Sequence, residues 1–150
     1  MGVAQLEQLD ERLEKKRKLA QCYLEEFKDC KHCTMLAEPA NAKSNYWLNA
    51  LILNTSTKYS DHSGSSVGAG SSYVSSIVAN RNSANQTHKS IRDELLHSLN
   101  QQGIMARPVW NLLHTLPFLK DCPHADLPVA IDLQARLINL PSSAKLAEPR

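Results

Sequence analysis

Two short stretches carry side chains able to do chemistry. Cys30-Lys31-His32-Cys33 has the spacing of half a zinc site. A closed structural zinc site needs four nitrogen or sulfur ligands, and no second C-x-x-C exists to supply the other half. Cys22, Cys122, His32 or His124 would complete a set only if folding gathered them. The same spacing suits a redox pair, but no thioredoxin-like context follows it. The plain reading is two ordinary thiols at a helix exit, and no metal site is assigned. The second stretch places Arg107, Trp110 and His114 in one polar-aromatic loop after a short strand. On general grounds these are a packed Trp with two solvated polar neighbours. Lysine amines become nucleophilic where burial or neighbours lower their pKa. Most of Lys15, Lys16, Lys18, Lys28, Lys31, Lys43, Lys58, Lys89, Lys120 and Lys145 sit in charge-rich or loop segments. The Ser/Gly tract from Ser63 to Ser72 follows a strand but lacks the spacing and helix of a phosphate-cradling loop.

The elements that would position these residues follow from periodicity. Leu6, Leu9, Leu13, Ala20, Leu24 and Phe27 recur at three, four or seven residues and predict one long helix from Val3 to Lys28. Glu11 and Lys15 form a favourable i,i+4 pair, and the run Glu14-Lys15-Lys16-Arg17-Lys18 reads as a solvated face. After a polar connection through Pro39, Asn45–Leu53 reads as a strand. It is apolar at nearly every position, so both its faces are expected to be covered. From Thr55 to His88 the chain is rich in Ser, Gly, Asn and Thr and cannot bury enough surface to offset chain entropy. It is expected to be a flexible insertion, with one weak strand at Tyr73–Val78. Ser90 is a helix N-cap candidate, Ile91, Leu95, Leu96 and Leu99 make an apolar face, and Gly103 suits the C-terminal cap. A strand at Ile104–Arg107 is stopped by Pro108. Asp126 caps a further helix with Pro128 in its first turn, followed by Val129, Leu133 and Leu137. A last strand at Ile138–Leu140 ends at Pro141. The alternation predicts an α+β domain, a small antiparallel or mixed sheet with helices on one face.

Composition bounds the function. The 150 residues fit one domain, and 42% hydrophobic with 5% aromatic residues implies an aliphatic core. A net charge of +2, from 17 basic and 15 acidic residues, gives no electrostatic case for nucleic acid or anionic membrane. No apolar run is long enough to span a bilayer. The first residues turn acidic and helical at once, unlike a signal peptide, and Leu6 stands where a myristoylation motif wants Ser or Thr. Four cysteines beside an ordinary core do not form a disulfide scaffold, so a reducing, cytoplasmic setting is expected.

Several blocks together resemble one family. They are Gly2–Asp10, Asn45-Tyr46-Trp47-Leu48-Asn49-Ala50, Gly103–Trp110, Leu113-His114-Thr115-Leu116-Pro117, Asp121-Cys122-Pro123 and Arg136–Ser143. In this order they look like the C-terminal third of the DegT/DnrJ/StrS aminotransferases, closest to the LegC-like branch. The resemblance implies a small domain of a fold-type I pyridoxal-phosphate (PLP) enzyme. Such an enzyme moves an amino group from an amino-acid donor to a 4-keto sugar nucleotide in surface-polysaccharide or nonulosonic-acid biosynthesis. Residues 1–54 and 89–150 would form that domain with its connector helix, and 55–88 the insertion. The resemblance puts the Schiff-base lysine and most phosphate-binding groups in a large domain outside this chain, which would be inactive alone. It gives this chain no catalytic, cofactor-binding or metal-binding residue. It also places the Arg107–Trp110–His114 loop on the substrate side, where a guanidinium fork and an aromatic face suit phosphate and sugar. The partners it implies are the sugar nucleotide, the amino donor, and the large domain or a second copy. The other reading is a non-catalytic α+β binding or interaction module.

Overall fold

The computed structural model describes residues 2–54 and 88–147. The expected insertion and its weak strand therefore lie outside the described residues, except His88, which opens a helix rather than closing a loop.

The first helix is two helices, α1 (Gly2–Leu6) and α2 (Leu9–Phe27), parted at Glu7-Gln8. Its apolar stripe is buried only in the second half. Ala20 and Phe27 are buried, joined by Leu19, whereas Leu6 and Leu9 are exposed. From α2 it is Phe27, with Tyr23 and Leu24 against it, that joins the core of the sheet, so the leucines of the first turns stay outside it. Glu11 and Lys15 do pair, at 2.7 Å.

Four strands follow in the sheet order β1-β2-β4-β3, all antiparallel. They are β1 (Cys33–Met35), β2 (Asn49–Leu53), β3 (Arg107–Pro108) and β4 (Leu137–Leu140). The sheet is covered on one face by α3 (His88–Gln101), as expected of an α+β layer. The core joins Phe27, Cys33, Met35, Leu51, Leu53, Leu95, Leu96, Leu99, Ile138 and Leu140. Along β2 burial alternates: Asn49, Leu51 and Leu53 are buried, and Ala50 and Ile52 half-buried. The strand thus has one fully covered face, not the two that its apolar composition suggests.

Several boundaries differ from expectation. Asn45–Leu48 is a turn, not strand, and Tyr46 has a φ of +45°. Ser90 lies inside α3, which begins two residues earlier. Asp126 does not cap the next helix, α4 (Pro128–Arg136). Leu127 stands at its N-cap and makes no side-chain cap. Val129 on α4 is exposed, Leu133 is half-buried, and Leu137 opens β4. Pro108 does not stop a strand but belongs to one. It can, because β3 is a sheet edge where a missing donor is tolerated. Gly103 behaves as expected. Its φ is +79°, its N–H donates to Asn100 O, and the Ile104 N–H donates to Leu99 O, the paired bonds of a Schellman cap. Short 3₁₀ turns at Leu113–Thr115 and Ala144–Ala147 complete the described chain, the second packed along α2.

Candidate functional site

The side chains of the 104–131 segment are held by few regular bonds. Arg107 is exposed on β3 and directly opposite Asn139 of β4, so both stand on the sheet face that α3 does not cover. That face also carries Ala50 and Ile52, opposite Asn139 and Leu137. Trp110 is 66% exposed, which overturns the packed-Trp expectation. Its ring lies 6.2 Å from that of Trp47, itself 65% exposed, at a 44° tilt. Aromatic pairs at this separation attract through their quadrupoles. His114 stacks on His124 at 4.6 Å, and its Nδ1 is buried without a hydrogen-bond partner. No hydrogen bond or ring contact among the described residues links Arg107, Trp110 and His114 directly. They share a segment and each meets a different neighbour.

Trp47 is the site residue that sequence reasoning missed, because it read as a strand position. Its placement begins with Ser44 and Asn45. The Ser44 Oγ accepts from the Tyr46 N–H at 3.0 Å, and Asn45 Oδ1 accepts from the Trp47 N–H at 3.0 Å. These local turns compete with a strand ladder. They tip Tyr46 into the left-handed region, where a bulky residue persists only if its surroundings hold it. Here they do. The Tyr46 hydroxyl accepts from the Glu38 N–H at 3.3 Å, and Arg17 lies over its ring at 5.6 Å. The Lys16 Nζ donates to Tyr46 O at 3.5 Å and to Ser142 O at 2.7 Å. The Ser142 hydroxyl in turn donates to Trp47 O at 2.6 Å. The signal was available in Ser44-Asn45, both turn formers, but was outweighed by the apolar run behind them.

Lys16 and Arg17 thus leave the solvated face to which their charge run assigned them. Arg17 grips both oxygens of Glu38 and donates to Ser44 O. The Arg17 hydrogen bond and the Ser44 N–H hold the Glu38 carboxyl below its usual range. A cleft of about 840 Å³ opens beside this clamp, lined in part by Asp10, Glu14, Lys18, Lys43 and Asn45. Burial pushes the Lys16 amine down, the property a Schiff-base lysine requires. Its Nζ, however, is spent on two backbone carbonyls, Tyr46 O and Ser142 O. The described residues do not fit a PLP site.

The other sequence candidate resolves differently. Cys30 and Cys33 face each other with their sulfurs 2.7 Å apart. His32 is buried and does not complete a ligand set. Among the described residues no group of three or more His, Cys, Asp or Glu side chains is arranged to hold a metal. No helix among them is long and apolar enough to cross a membrane.

A model of the DegT/DnrJ/EryC1/StrS aminotransferase family matches residues 1–150. The chain is 28% identical over 152 residues to the putative pyridoxal phosphate-dependent aminotransferase EpsN of Bacillus subtilis, covering 99% of this chain and 31% of EpsN. Helicobacter pylori PseC, described as an aminotransferase involved in the biosynthesis of pseudoaminic acid, superposes with a TM-score of 0.68 at 20% identity, over 97% of this chain and 31% of PseC. The aminotransferase TlmJ of Streptoalloteichus hindustanus gives a TM-score of 0.67 at 16% identity, over 96% of this chain and 30% of TlmJ. At these identities the two structures speak for the fold alone. The chain spans about a third of the length of each of these relatives.

Proposed function

This chain belongs to the DegT/DnrJ/EryC1/StrS aminotransferase family, and from that premise we propose that it is the C-terminal small domain of a PLP-dependent enzyme aminating a 4-keto sugar nucleotide. The observation that carries the reading is the pairing of a family match over residues 1–150 with a length about a third of the relatives'. EpsN is named as PLP-dependent and PseC as acting in pseudoaminic acid biosynthesis, which supports the cofactor and the sugar class. The blocks Asn45–Ala50 and Gly103–Trp110 support the LegC-like branch. Residues 1–54 and 88–150 form the domain and 55–87 an insertion.

When bound, PLP supplies the electron sink for carbon–nitrogen chemistry. The large domain holds it, and this chain contributes substrate positioning. Arg107, presented at the β3 edge, pairs with a phosphate of the sugar nucleotide through two parallel hydrogen bonds. Trp110, backed by Trp47, offers a flat apolar face to the sugar or base, and His114 a polar contact. Charge-assisted bonds of the Arg type contribute about 1.5–3 kcal/mol, or roughly ten- to a hundredfold in affinity.

The test is a chimera: this domain, without residues 55–87, fused to the large domain of a family relative. Transamination of a 4-keto sugar nucleotide is expected. A folded chimera without that activity counts against the reading. In the active chimera, Arg107→Lys keeps the charge but loses the fork, and should raise the Michaelis constant for the sugar nucleotide about tenfold. Unchanged kinetics would remove Arg107 from the site. The isolated chain, incubated with PLP and borohydride, should show no single specifically modified lysine by mass spectrometry.

A further inference from the structure

The Cys30–Cys33 pair has no part in the proposed substrate site, yet its geometry is specific. Cys30 lies three residues past the end of α2, where its N–H donates to Phe27 O at 3.1 Å and turns the chain back. Cys33 opens β1 and is fixed there by pairing with Leu53. A tight helix exit and a strand start thus aim two side chains at one point. Their sulfurs stand 2.7 Å apart, against about 2.05 Å in a formed disulfide. Buried cysteines that act only as small hydrophobes have no need to meet sulfur to sulfur. With no third ligand in place among the described residues, metal binding does not account for the meeting either.

We propose that Cys30 and Cys33 are a reversible thiol–disulfide exchange site whose oxidant is a low-molecular-weight disulfide of the glutathione type. Cys30, the less buried of the two, reacts first. Its thiolate attacks one sulfur of the small disulfide, forming a mixed disulfide and releasing one small thiolate, which takes up a proton. Cys33 then gives up its proton to solvent and attacks the Cys30 sulfur, releasing the second small thiolate, which is protonated in turn. Two protein thiols and one small disulfide become one protein disulfide and two small thiols, with two electrons passing to the oxidant. In the resting state the hydrogen bond with Cys30, and then burial, push the Cys33 thiol far up, so Cys33 keeps its proton while Cys30 reacts. The bond would join the exit of α2 to β1, the edge strand of the sheet.

The experiment equilibrates the full chain with graded mixtures of reduced and oxidised glutathione, then quenches with acid and alkylates. Trypsin cuts after Lys28, Lys31 and Lys43, so Asp29–Lys31 and His32–Lys43 separate unless a disulfide joins them. The joined peptides, lost again on reduction, are the expected product. Their yield in the folded chain should correspond to an equilibrium about tenfold more favourable than in the urea-unfolded chain, or about 30 mV lower in potential. A Cys22→Ser/Cys122→Ser variant, which removes the two exposed thiols, should behave alike. Failure to recover joined peptides at any mixture overturns the proposal. So does an equilibrium no more favourable folded than unfolded, since the fold would then not be what brings the sulfurs together.

Discussion

The sheet with α3 and the 104–131 segment use the same kinds of side chain to opposite ends. Leu51, Leu95 and Ile138 are completely buried, whereas Leu113 and Phe118 are 70% and 77% exposed. In the first region a period of two along the strands and of 3.6 along α3 collects apolar groups on facing surfaces. The 109–127 stretch has neither period over a useful length, so its leucines and aromatics share no face. Val129 and Ile131 on α4 add to the exposed apolar surface. One region is specified by its own core. The other leaves several large apolar side chains exposed, as a surface that meets the large domain proposed above would.

The strongest way to break this contrast is a paired substitution. Leu51→Ala should cost about 2–5 kcal/mol by cavity formation, while Phe118→Ser should change stability by no more than about 0.5 kcal/mol. Urea unfolding of both variants decides it, and equal costs would show that the loop belongs to the core after all. Next in size is Arg92, buried on α3, which donates to Gln134 O on α4 and pairs with Asp93. It ties the poorly buried helix to the well-buried one. Arg92→Met should cost about 1.5–3 kcal/mol, and amide exchange in α4 should rise more than in β2.

Gly103→Ala should cost about 1 kcal/mol. A Cβ there would meet nothing within 4 Å, so the whole loss comes from the left-handed backbone at the end of α3, inside the well-specified region. The smallest effect concerns the clamp on the Tyr46 turn. The Glu38 carboxyl is held below its ordinary value by Arg17, so its contribution is present above the unfolded pKa and lost as pH falls through the folded one. Stability should therefore decline in acid below about pH 4.5, the ordinary value for this group, and Glu38→Gln should flatten that decline. A pH titration of the unfolding midpoint for both chains measures it.

Much of the core was legible along the chain. Leu95, Leu96 and Leu99 on α3, the Gly103 cap and the β4 strand ending at Pro141 all stand where local pattern put them. Short-range rules suffice there, because periodicity and φ preference act within a few residues. The candidate site was legible only in part. Trp110 and His114 stand out by type, but Trp47 lies in another loop and His124 farther along the same irregular stretch, and no periodic signal joins such positions. Lys16 and Arg17 depart from expectation because a run of charge looks solvated until a loop folds over it.

The sequence by itself determined an aliphatic α+β domain, most of its helices and strands though not the β1 strand at Cys33–Met35, and a resemblance carried by blocks spread along the chain. The tertiary structure alone decided that Tyr46 turns left-handed and sends Trp47 outward to meet Trp110, and that Cys30 and Cys33 point at one another. The physical reason is the range of the forces involved. Helix and strand preferences are settled by neighbours a few residues away. A side chain's direction at a turn is settled by whichever distant carbonyls, rings and carboxylates the finished fold brings against it, as Ser142, Arg17 and Glu38 are brought against the Tyr46–Trp47 turn.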